Sequence, residues 1–131
     1  MDEVPPDYQG LFTMLADSSS TNSVLFPYEV FQQAFMQDAD EPTQKLVHSL
    51  LVPQPMQYFT APVKPIDPAI IGVPLTYLLS EDDIALPPGE YGWARFADRL
   101  GVEPMMSPGS HEACLTRPQE LATAFLAAAI G

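Results

Sequence analysis

Hydrophobic and polar positions run along this chain in two different rhythms. Through residues 1–68 the apolar positions are broken by polar or proline-rich joints and form only two helical patterns. After Pro27, the residues Val30, Phe31, Ala34 and Phe35 recur at helical spacing and give one apolar stripe. A second helix is expected from Asp40, a good N-cap with Glu41 and Pro42 in the first turn. Leu46, Val47, Leu50 and Leu51 form its expected buried face, and Pro53 and Pro55 stop it. The run from Ser18 to Ser23 reads as an exposed loop, and Val52 to Pro68 as an extended connector rich in proline.

Residues 69–131 follow another rhythm. Val73 to Leu79 is apolar nearly throughout and ends in Ser80-Glu81-Asp82-Asp83. Such a continuous run predicts a central parallel strand covered on both faces, with Pro74 at its start. Beyond Pro87-Pro88-Gly89, the residues Trp93, Phe96, Ala97 and Leu100 predict a helix that Gly101 ends. Val102 to Met106 makes a second short strand, and Ser107 to His111 a loop. Thr116 and Gln119 have capping-box spacing at the head of a last helix, with Pro118 in its first turn. Leu121, Ala122, Phe125, Leu126 and Ala129 give that helix one apolar face. Strand, helix, strand, helix in that order implies an α/β fold with a parallel crossover. Two strands are too few for a stable sheet.

Composition changes this picture little. A hydrophobic share of 47% in 131 residues is that of one globular domain, and 15 prolines divide it into short elements. The net charge of −12 repels phosphate backbones and anionic headgroups, so neither nucleic acid nor a membrane is an expected partner. The start, Met1-Asp2-Glu3-Val4-Pro5-Pro6, lacks the basic and apolar regions of a signal peptide, and the single cysteine excludes an internal disulfide. No run approaches the roughly 20 apolar residues that span a bilayer. A cytoplasmic protein is the expectation. No His, Cys or carboxylate group has metal-ligand spacing, so neither metal nor cofactor is expected.

The chemistry concentrates at the two strand ends. In open parallel sheets, ligands sit beyond the carboxyl ends of the strands. Asp83 follows the first strand and His111 the second, so adjacent strands would bring both to one sheet edge. A carboxylate there can accept the imidazole Nδ1–H, fix its tautomer and stabilise the imidazolium.

The surrounding residues resemble the α/β-hydrolase family, specifically its small-ester serine hydrolases and related lyases. Residues 73–87 resemble the family's penultimate strand and acid turn, where an Asp is followed four residues later by Pro, as Asp83 is by Pro87. Residues 110–121 resemble its histidine loop and the start of its final helix. The family usually has Gly directly before the histidine; here Gly109 stands one place earlier and Ser110 intervenes. The resemblance covers residues 73–128 and implies a partial α/β-hydrolase fold: a helical cap segment and connector over 1–68, then the last two strand–helix units over 69–131. It implies Asp83 as triad acid and His111 as general base and acid, with Asp82 as the alternative acid. It also implies a small hydrophobic ester or acyl compound as substrate.

The sequence holds no Gly-x-Ser-x-Gly elbow and no His-Gly oxyanion loop, and Ser18 to Ser20 follow no strand. Two readings follow. One is a hydrolase whose serine lies outside this chain; the other is an inactive remnant or a half-fold that binds a complementary N-terminal half. Among the remaining residues, Cys114 reads as buried filler under the histidine loop and His48 as a surface residue. Trp93, Phe96 and Tyr91 read as packing between helix and sheet. Phe26, Phe31, Phe35 and Phe59 read as cap core, and the acidic surface as solubilising.

Overall fold

Helix α1 (Pro6–Ser18) opens the computed structural model, which describes residues 2–64, 66–70 and 72–130. Met1, whose segment was read for a leader, and the connector's Pro65 lie outside the described residues. α1 corrects the expectation of an irregular start. Pro6 sits in its first turn, where a missing N–H costs nothing. Tyr8, Phe12, Leu15 and Ala16 share one side and pack with Val24, Phe26 and Phe59. That stripe has helical spacing, but Pro5, Pro6 and Gly10 obscure it in the sequence.

β1 (Ser23–Val24) lies next, followed by α2 (Tyr28–Ala34), which buries Phe31 as its stripe predicts. α3 (Glu41–Leu50) starts where expected, with the Asp40 carboxylate accepting the Thr43 N–H at 2.9 Å. Its buried face is different. Gln44 is buried, while Leu46 and Leu50 are exposed. The reason is a polar seam between the helices. The Gln44 amide donates to the carbonyls of Met36 (2.9 Å) and Ala39 (3.1 Å) and accepts from Gln32 at 2.9 Å. His48 is half-buried, its Nε2 2.9 Å from the Phe26 carbonyl and its ring against Tyr28 and Phe31, so it is not the expected surface residue. The connector is not simply extended either. β2 (Gln54–Pro55) pairs antiparallel with β1, and α4 (Gln57–Thr60) follows.

The second half holds the expected crossover. β3 (Leu78–Ser80), α5 (Ala94–Leu100) and β4 (Met105–Ser107) place two strands in parallel register, Leu78 opposite Met105 and Ser80 opposite Ser107. Gly101 ends α5 at φ 67°, a left-handed conformation that glycine adopts without a Cβ penalty. The fold is thus α/β, helices around a small parallel sheet. β3 is not covered on both faces, contrary to expectation. Its three residues are all part-exposed, among the described residues it pairs only with β4, and Val73 and Leu75, ahead of the paired segment, are exposed.

The terminal helix is split into α6 (Ala113–Thr116) and α7 (Pro118–Ile130). The expected capping box does not form, because the Thr116 hydroxyl donates to Asp38 at 2.9 Å instead. α7 packs against β4 and α6. The apolar face read for it is largely uncovered, with Phe125 58% and Leu126 69% exposed. Among the described residues, no helix is long and apolar enough to cross a membrane.

Candidate active site

The loops after β3 and β4 are held together by backbone bonds that extend the ladder past the strands. The Glu81 N–H donates to the Ser107 carbonyl at 2.9 Å and the Asp82 N–H to the Gly109 carbonyl at 3.1 Å. Gly109 has φ 114°, and a Cβ there would meet the Ala113 Cβ at 2.9 Å and the Arg117 Cγ at 3.1 Å. Only glycine fits that turn.

This arrangement brings the two sequence-predicted side chains into contact. His111 Nδ1–H donates to Asp83 Oδ2 at 2.9 Å, and Asp83 Oδ1 accepts the Ala85 N–H at 3.0 Å. Asp83 is 11% exposed and His111 31%. Asp82, the alternative acid, is exposed; its backbone carbonyl accepts from Gln37, and no hydrogen bond joins its carboxylate to His111.

Each group shifts the other's titration. Burial pushes the Asp83 carboxyl up, but hydrogen bonds from His111 and the Ala85 N–H, the His111 charge and the nearby Trp93 indole outweigh it and hold it below its ordinary 3.8. The Trp93 N–H faces that carboxylate without closing a hydrogen bond of good geometry. For His111, the bond to Asp83 raises the pKa above 6.5, burial opposes, and the charges of Asp83 and Glu112 add to the rise.

Two aromatic rings fix the imidazole plane. Trp93 stacks on it at 5.4 Å and 29°, and Phe35 meets it edge-on at 5.0 Å and 89°. Trp93 therefore does more than pack helix on sheet. Phe35, at the end of α2, reaches the site because its carbonyl accepts from the Glu112 N–H (3.2 Å) and the Ser110 hydroxyl (3.2 Å).

Ser110 belongs to a clamp that sequence reading missed. Its hydroxyl donates to Asp38 Oδ1 at 2.6 Å, the Thr116 hydroxyl donates to Asp38 Oδ2, and Arg117 lies 3.7 Å away. Burial raises the Asp38 carboxyl, yet the Ser110 and Thr116 donors leave it below 3.8. The serine before the histidine is thus a fully buried strut between the loop and the turn after α2. Its signal in the sequence is the unusual Ser110, but Asp38 lies 72 residues away and carries none.

Beside His111 is a cavity of about 290 Å³ walled by Tyr8, Phe12, Phe26, Phe35, Phe59 and Trp93. Of the four phenylalanines expected as cap core, only Phe31 is fully packed away. The cavity suits an apolar, flat ligand. Cys114 is exposed, so the reading of it as buried filler was wrong; Ala113 fills the space under the loop. Among the described residues, no cluster of His, Cys, Asp or Glu is arranged to hold a metal ion.

No protein-family model matches the chain, nor does any curated protein. Among solved structures it is similar to an extracellular α/β-hydrolase from a Paenibacillus species, described as sharing structural and functional homology with tobacco salicylic acid binding protein 2. The identity is 21% and the TM-score 0.71, over 97% of this chain and 54% of that one. The chain thus has an α/β-hydrolase-like fold and spans about half the length of the structure it resembles.

Proposed function

We propose that this chain carries the acid and base of a serine-hydrolase site, acting on small hydrophobic esters with a serine that lies outside this sequence. The observation behind it is the 2.9 Å bond from His111 Nδ1 to Asp83 at the carboxyl ends of two parallel strands. That bond leaves Nε2 on the opposite edge of a ring that forms part of the cavity wall. In this reading Nε2 takes the serine proton as Oγ bonds to the ester carbonyl carbon, then gives it to the departing alkoxide. Water repeats the sequence and releases the acid. Asp83 holds the tautomer and stabilises the imidazolium. Residues 1–68 would serve as the cap-like segment over the 69–131 core, and the single unpaired cysteine fits a cytoplasmic setting.

A second reading, a half-fold that docks a complementary half, is supported by the uncovered Phe125, Leu126, Val73 and Met106. Fluorophosphonate labelling separates the outcomes. A protein joining this chain to an upstream Gly-x-Ser-x-Gly segment should label, hydrolyse small aromatic esters and lose both on His111→Ala. The 131-residue chain by itself should stay unlabelled. Labelling of that chain would show a nucleophile within it and defeat the proposal. A longer protein that folds but never labels would leave the docking reading.

A further inference from the structure

The turn between α2 and α3 reaches both members of the Asp83–His111 pair. Consecutive residues there, Gln37 and Asp38, hold different loops. The Gln37 side-chain amide donates to the carbonyl of Asp82, which belongs to the peptide bond leading into Asp83. Asp38 accepts the Ser110 hydroxyl at 2.6 Å and faces the Ser110 N–H at 3.4 Å, directly before His111. The residue before the acid and the residue before the base are thus gripped from one turn. That turn is itself fixed. Met36 is fully buried, the Ala39 N–H donates to its carbonyl at 3.2 Å, and the Gln44 amide donates to the carbonyls of both.

The Gln37 tie is kept at a cost. Its Oε1 is buried with no donor among the described residues, a loss that an apolar side chain of similar length would avoid. Nor does the Asp82 carbonyl depend on Gln37 for a partner, because Asp82 is exposed and water can replace the amide. Water cannot, however, fix the acid turn to the element that also holds the histidine loop. We propose that Gln37 is a positioning residue, which together with Asp38 sets the separation of Asp83 and His111 from the α2–α3 turn. The segment ahead of the sheet then contributes to the geometry of the pair as well as to the cavity wall. This role rests on Asp83 and His111 being acid and base. Its test follows the pair by titration without turnover, so it can fail while the hydrolase reading stands, and the reverse.

Gln37→Met removes the donor together with the unpaired oxygen. Its urea midpoint should match or exceed that of the native chain. The His111 titration, followed by NMR, should nevertheless move down, partway toward the ordinary 6.5 and less far than in Asp83→Ala. Gln37→Ala should give the same shift, so the result does not depend on how Met packs. In the Asp83→Ala background, adding Gln37→Met should leave the His111 titration where it was, because the tie acts through Asp83. A native His111 titration in both Gln37 variants would overturn the proposal. So would an equal shift with and without Asp83, which would make Gln37 a general brace of the loops and not a positioning residue of the pair.

Discussion

Alanine at Asp83 is expected to destabilise the chain by about 2–4 kcal/mol, because two donors lose their acceptor together. One is the His111 Nδ1–H and the other the N–H of the buried Ala85. The midpoint of urea unfolding reads the loss. The same change should lower the His111 pKa, followed by NMR titration, since the bond to Asp83 is the largest cause of its rise. The pH dependence follows from the two directions. A raised histidine contributes stability in full below 6.5 and loses it as pH climbs through the folded value. A lowered carboxylate contributes above 3.8 and loses it as pH falls through its folded value. The deficit of Asp83→Ala should therefore be greatest between pH 3.8 and 6.5. An unchanged His111 titration would show that the pair does not persist in solution.

Asp38→Ala should cost about 2–3 kcal/mol, since it strips acceptors from one fully buried hydroxyl and one partly buried one. Ser110 and Thr116 each have a second, weaker carbonyl partner, at 3.2 and 3.4 Å, which limits the loss. The effect should also appear where no bond was cut. The Glu112 N–H, bonded to the Phe35 carbonyl, should exchange faster with solvent, and His111 should titrate at a lower pH as its loop loosens from Asp83. Asp38→Asn keeps one oxygen toward Ser110 and should fall between the two. Native exchange at Glu112 in Asp38→Ala would mean that the clamp does not hold the loop.

These two carboxylates differ in how far the sequence exposes them. Asp83 and His111 were legible because each follows an apolar strand and stands in a stretch that resembles the acid turn and histidine loop of α/β-hydrolases. Asp40 and Gly101 were legible too, since capping is decided within a few residues. Asp38 was not. Its partners are distant in sequence, and nothing local separates a clamp carboxylate from a solvated one. The face of α3 misled for a related reason: Gln44 finds four polar partners on α2 and the following turn, so the polar side turns inward. Cys114 was displaced from the interior by its neighbour Ala113, a choice of one helical step that apolar patterning does not resolve. The uncovered β3 and α7 show the remaining limit, since patterning says that a face is apolar and not what lies against it.

The exposure of Val73, Leu75, Phe125 and Leu126 also has a consequence for behaviour in acid. At neutral pH the net charge of −12 keeps copies of the chain apart. Approaching the isoelectric point near 4.1, that repulsion vanishes while these apolar residues stay exposed. Below it, protonation of Asp38 and Asp83 begins to loosen the loops that they hold. Acid loss of structure should thus be a bimolecular affair, earlier at higher protein concentration, with clumping and unfolding arriving together.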